Sequence, residues 1–251
     1  MADSDRRPLG QAYAGTWGRA EAAEMDVGLR KHMLQIYNYM ASGLLLSGIV
    51  AIVVANTGLQ DIFFQMNEAG RYGYTGLGFV AMLAPIGIIL AMSFGAARMG
   101  NGALQGMYWA LVGTMGIGFA VLLKVYTGDS VARVFFITAA TFGALSLYGY
   151  TTKRSLSGFG TFLFMGLIGM VIAAVVNIFL ASSMLQFIIS AVGLLVFSGL
   201  IAFDTQRLKN EYFEVQGTEL AERSAIMGAV SLYLNFVNLF QILLSFLGNR
   251  E

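Results

Sequence analysis

Seven apolar runs dominate this chain, at residues 33–55, 76–97, 103–123, 130–150, 158–181, 184–203 and 226–247. Each is 20–24 residues long, and the one formal charge inside them is Arg133, near an end of the fourth. A helix rises 1.5 Å per residue, so about 20 residues cross the roughly 30 Å hydrocarbon core of a bilayer. Runs this long and this free of charge read as transmembrane helices. Barrel strands would instead alternate over about ten residues, and no such alternation is seen. The expected fold is therefore an all-α integral membrane protein, a bundle of seven transmembrane helices.

Composition agrees. Residues of the set AVILMFWYC make up 57% and charged residues 12%, against about 25% charged in soluble domains. This excludes both an ordinary soluble enzyme and a disordered chain. A net charge of +1 gives no pull towards nucleic acid. The chain has no Cys and a single His, His32, so disulfides, thiolate sites and histidine metal clusters are ruled out.

Residues 1–32 are polar and lack the apolar stretch and cleavage site of a signal peptide. We expect a mobile cytoplasmic tail over 1–32 and one membrane domain over 33–251. Most connections are short turns; 56–75 and 204–225 are longer. Lys and Arg set orientation. With the N-terminus inside, eleven of them lie inside and four outside, which predicts a multi-pass membrane protein with its N-terminus in the cytoplasm and its C-terminus outside.

Between spans in lipid, close backbone approach and polar contacts replace the hydrophobic drive. Gly is plentiful, at 31 residues, with Gly102 and Gly106 forming a GxxxG and Gly113, Gly116, Gly118, Gly166 and Gly169 crowding two helices. These predict tight packing or a hinge. Pro85 should kink the second span. In the last span Ser231, Asn235, Asn238, Gln241 and Ser245 share an arc of about 120°. That stripe predicts either interhelical hydrogen bonds or a water-lined passage, with Asn177 a candidate partner. Asp204, at the end of the sixth span, is either a solvated helix end or part of a site. Arg133 is expected to snorkel, His32 to face head groups, and Tyr74, Trp109 and Tyr126 to anchor at the interface.

The spans lack a lysine for a retinal Schiff base, carboxylates in series for a proton pump, and the constellations of intramembrane proteases. We expect neither an enzyme nor a cofactor.

Three segments carry a family likeness. Ala144–Leu180, ALSLYGYTTKRSLSGFGTFLFMGLIGMVIAAVVNIFL, resembles the central block of bacterial members of the Bax inhibitor-1 family. Gly199–Leu208, GLIAFDTQRL, is similar to the end of that family's sixth helix, and Ser231–Phe240, SLYLNFVNLF, to the start of its seventh. The resemblance implies a bundle with the last helix at its centre. It also implies a pH-sensitive calcium leak, in which an aspartate ending the sixth helix shares a proton with one in the seventh; the bacterial branch includes a modulator of a membrane-bound AAA protease. Asp204 matches the first aspartate. The family's LYLD is LYLN here, so the second position is Asn235, which carries no charge and cannot share a proton as a carboxylate does. A calcium contact at Asp204 is implied one negative ligand short. The family's basic latch falls nearest to Arg98. The expected function is thus a calcium-permeable leak lined partly by Ser231, Asn235 and Asn238 with Asp204 at the cytoplasmic gate. The alternative is a non-transporting regulator that binds membrane proteins such as a protease complex.

Overall fold

The computed structural model describes residues 9–66 and 72–250. With no water in hydrocarbon to satisfy backbone groups, the apolar runs close their hydrogen bonds internally as helices. The first, α1 (Leu9–Asn56), is followed by the short α2 (Gln60–Phe63) and a hairpin of β1 (Phe64–Met66) and β2 (Tyr72–Tyr74). Then come α3 (Gly76–Gly95), α4 (Asn101–Phe119), the single turn α5 (Leu122–Val125), α6 (Gly128–Thr151), α7 (Ser157–Leu180), α8 (Ser183–Val215) and α9 (Leu220–Leu247). Seven helical stretches are long and apolar enough to cross a membrane. Of the polar segment 1–32, residues 1–8 lie outside the described residues, and α1 runs unbroken from Leu9 through the expected boundary.

Both long connections carry regular structure among the described residues. Within 56–75, β1 and β2 pair antiparallel, Phe64 opposite Tyr74. Thr75 caps α3, its hydroxyl accepting from the Gly78 amide at 3.0 Å. Within 204–225, α8 continues to Val215 and α9 begins at Leu220, so only a tight turn at Gly217 (φ 73°) separates them. Asp204 therefore lies inside a helix, not at its end.

The most buried span is the last. Half of its most apolar stretch is buried, against 11% for α7 and 17% for α3. Its principal partners are α8, α1, α6 and α4; α3 packs on α4, and α7 on α8. Outer helices present apolar side chains where lipid belongs, such as Phe94 and Phe179, each more than 80% exposed.

Close approach does not occur where the glycine motif predicted it. A Cβ at Gly102 or Gly106 meets nothing within 4 Å. Helix backbones meet closely instead at Gly149, where α6 rides on the Ala202 backbone of α8, and at Gly116, where α4 meets Ser47 and Val50 of α1, among other sites. Spacing alone does not say which glycine face meets a helix. The α3 helix runs on through Pro85.

Candidate functional site

The α8–α9 packing carries the candidate site. Asp204 is 7% exposed. Its Oδ2 accepts hydrogen bonds from the Ser231 hydroxyl at 2.6 Å and from the Asn235 amide at 2.7 Å. Its Oδ1 accepts from Arg207, with Nε at 3.0 Å and Nη2 at 2.9 Å. Arg207 Nη2 also lies 3.4 Å from the Ser231 hydroxyl.

Helix geometry explains this arrangement. Asp204, Arg207 and Glu211 are spaced three and four apart, so they share one face of α8. Asn235, Ser231 and Ser224 form the matching face of α9, read in the opposite direction. Glu211 accepts from the Ser224 hydroxyl at 2.8 Å and stands 4.0 Å from Arg207. A buried carboxylate costs several kcal/mol unless paired and hydrogen-bonded. Here three donor side chains supply both.

The arginine separates the acid from water. A polar cavity of about 510 Å³ is lined by Arg207, Glu211, Asn210, Gln206 and Glu214. The Arg207 side chain is 44% exposed and that of Asp204 10%, so the guanidinium stands between the carboxylate and the cavity. Gln206 ties the turn between α6 and α7 to this end of α8, donating to the Arg154 carbonyl at 2.8 Å and accepting from the Leu156 amide at 2.7 Å. On the far side, Thr205 bonds Ser146 at 3.0 Å, and Ser146 bonds Tyr37 at 2.5 Å, linking α8, α6 and α1.

Several expected residues fall elsewhere. Asn238 turns its amide to the Leu234 carbonyl of its own helix at 2.8 Å, and Ser245 bonds Ile242 likewise. Gln241 is exposed. The stripe thus divides, with its Ser231–Asn235 half meeting α8. Asn177 bonds the turn before α8, through the Ser182 amide at 3.0 Å and Gln186 at 3.3 Å, so it caps a turn and does not reach α9. Arg98 stands exposed beyond α3, where Arg223 holds the neighbouring carbonyls of Ala97 and Met99 at 3.3 and 2.9 Å. The basic partner of Asp204 is Arg207. Counting Arg207 as a topology marker hid it; its i, i+3 spacing from Asp204 was the signal. His32 does not face head groups: it is 4% exposed, 5.3 Å from the Tyr212 ring, and its Nε2 has no partner among the described residues. Tyr126 is buried and lies 5.7 Å beneath the Arg250 guanidinium.

Chemically the cluster is one carboxylate with its acceptor positions filled. Calcium takes six to eight oxygen ligands. Asp204, Ser231 and Asn235 would supply four oxygen atoms at most, after Arg207 withdrew and the Asn235 amide turned over. Among the described residues, no group of three or more His, Cys, Asp or Glu could hold a metal.

Comparison with known proteins adds identity. The family model "Inhibitor of apoptosis-promoting Bax1" matches residues 29–251. A Rickettsia prowazekii protein of unassigned function is 46% identical over 226 residues, covering 90% of this chain and 92% of that one. A Caulobacter vibrioides protein is 46% identical over 237 residues, covering 92% and 95%. The inner membrane protein YbhL of Escherichia coli is 39% identical over 227 residues, covering 89% and 94%. The chain belongs to the Bax inhibitor-1 family and is a multi-pass membrane protein.

Proposed function

We propose that this member of the Bax inhibitor-1 family is a slow cation leak, with calcium as the favoured ion and Asp204 at its gate. The observation that carries the reading is the buried Asp204 carboxylate, held between Asn235, Ser231 and Arg207. An ionisable group inside a membrane bundle is costly and is a functional-site candidate by default, ion pathways being one of the roles such groups serve. In the resting arrangement the Arg207 guanidinium fills the place a cation would take. A cation reaching the cavity lined by Arg207 and Glu211 competes for the carboxylate, and the gate opens as the guanidinium yields. Asn235 stays neutral, so pH control is weaker than a carboxylate pair gives. Asn238 adds little, since its amide is spent on its own helix. The chain acts by binding and passage, without catalysis or a resident cofactor. The Lys and Arg distribution supports an inner-membrane orientation with the N-terminus in the cytoplasm and the C-terminus outside.

One observation favours a second reading. Arg207 already neutralises Asp204, and a neutral, filled site suits a regulator that binds other membrane proteins, a protease complex among them, without conducting. Two experiments divide the readings. Calcium entry into proteoliposomes that rises in Arg207→Gln supports the leak. Co-purification of a protease complex, lost on deleting residues 1–28, with no flux from the parent chain, supports the regulator.

A further inference from the structure

The α1 helix packs on α4, α8 and α9, and α6 on α8 and α9. Among the described residues, the hydrogen bond that joins α1 to α6 is Tyr37 to Ser146 at 2.5 Å. Beside it the two helices stand apart and leave a cleft of about 490 Å³, walled by Met33 and Leu34 on one side and Phe142, Gly143 and Leu147 on the other. The cleft opens sideways, where Leu34 is 51% and Leu147 63% exposed. It is open at Gly143, where an added Cβ would meet nothing within 4 Å. Protein interiors close such gaps by packing; one that faces hydrocarbon is filled by lipid tails.

Tyr37, Ser146, Tyr150 and Arg30 complete the lining, Arg30 being its one charged residue. The Tyr150 carbonyl accepts from Lys209 Nζ at 2.8 Å, and that ammonium sits 5.2 Å from the Tyr150 ring centre. An apolar slot whose one charged lining residue is the exposed cation Arg30 complements one kind of amphiphile, an acyl chain bearing an anionic head group.

We propose that the α1–α6 cleft binds one anionic phospholipid, with an acyl chain between Leu34 and Gly143 and its phosphate at Arg30. The chain lies against the Tyr37–Ser146 bond, and Ser146 bonds Thr205, the neighbour of Asp204. Lipid in the cleft therefore braces the α1–α6–α8 contact from outside. The site does not depend on whether the protein conducts.

Native mass spectrometry of the full chain in mild detergent tests this, with phosphatidylglycerol and phosphatidylcholine titrated separately. The parent is expected to retain one phosphatidylglycerol in preference to phosphatidylcholine. Arg30→Gln should reduce that preference about fivefold, the effect of one surface cation near 1 kcal/mol. Gly143→Leu fills the cleft and should abolish retention. Leu34→Trp fills it from the other wall and gives the same result should Gly143→Leu fail to fold. Equal retention of both lipids by the parent overturns the proposal, as does unchanged retention in a folded cleft-filling variant. The chain has no Cys, so a Gly143→Cys variant that forms disulfide dimers in membranes would put a second copy in the cleft, and would equally overturn it.

Discussion

Asn235 gives its amide N–H to Oδ2 of Asp204 at 2.7 Å, across the contact between α8 and α9. The two positions that the family resemblance matches to a pair of aspartates do meet, as one carboxylate and one amide. A pair of carboxylates at this separation needs a shared proton to hold together. An amide is a fixed donor at any physiological pH, and Arg207 supplies the positive charge. The cluster is thus held together without a proton.

Asn235→Asp rebuilds the pair and is expected to introduce pH dependence. Two ionised carboxylates this close repel beyond what the single Arg207 charge offsets, and a shared proton relieves the repulsion. A carboxyl whose proton is held more tightly in the folded state stabilises at low pH and loses that contribution as pH rises. The melting temperature of the variant relative to the parent should therefore fall between about pH 6 and 8. A constant difference across that range would show that carboxyls at 204 and 235 do not share a proton.

Arg207→Gln should destabilise more than Asp204→Asn. Removing the arginine leaves a carboxylate with a 10% exposed side chain uncompensated, whereas removing the acid leaves a guanidinium with 44% exposure that can turn to water. We expect a loss of about 2–3 kcal/mol in the first case and about 1 kcal/mol in the second. Unfolding of the detergent-solubilised variants checks the order; the reverse order would contradict the assignment of Arg207 as the counter-ion.

Two glycines of α6 should respond oppositely to the same change. A Cβ at Gly149 lies 2.9 Å from the Ala202 carbonyl carbon, backbone that cannot turn aside. Gly149→Ala is expected to cost about 1–3 kcal/mol. Gly143→Ala meets open space and should be neutral or slightly stabilising. Thermal unfolding measures both.

Orientation can be read by labelling single cysteines in the otherwise cysteine-free chain. With the N-terminus inside, a membrane-impermeant thiol reagent should reach Asp129→Cys on intact spheroplasts and Lys153→Cys only after permeabilisation. Both native residues are exposed. The opposite pattern would invert the topology.

The seven spans were legible because charge is so nearly absent from them, and that is a bilayer constraint readable residue by residue. The ends of α8 were not. Hydropathy marks where the membrane stops, while the helix goes on to Val215 through polar residues that still close their backbone bonds. The β1–β2 hairpin escaped notice because three-residue strands are too short to show a period. Within the site, Ser231 and Asn235 were marked by their place on the polar stripe and Asp204 by its place after the sixth apolar run; the resemblance paired Asp204 with Asn235. Arg207 was missed because a cation beside an apolar run reads first as a topology signal. The burial of His32 against Tyr212 and the choice of Gly149 over the Gly102–Gly106 motif depend on which helix packs where. No local pattern carries that information.

The most direct test is calcium entry into liposomes holding the purified chain, followed from pH 6 to 8 for the parent and for Asp204→Asn. The account predicts a leak above that of protein-free liposomes, changed by the substitution and only weakly dependent on pH in the parent. Flux from parent and variant equal to that of empty liposomes at every pH, with both proteins folded, would contradict it.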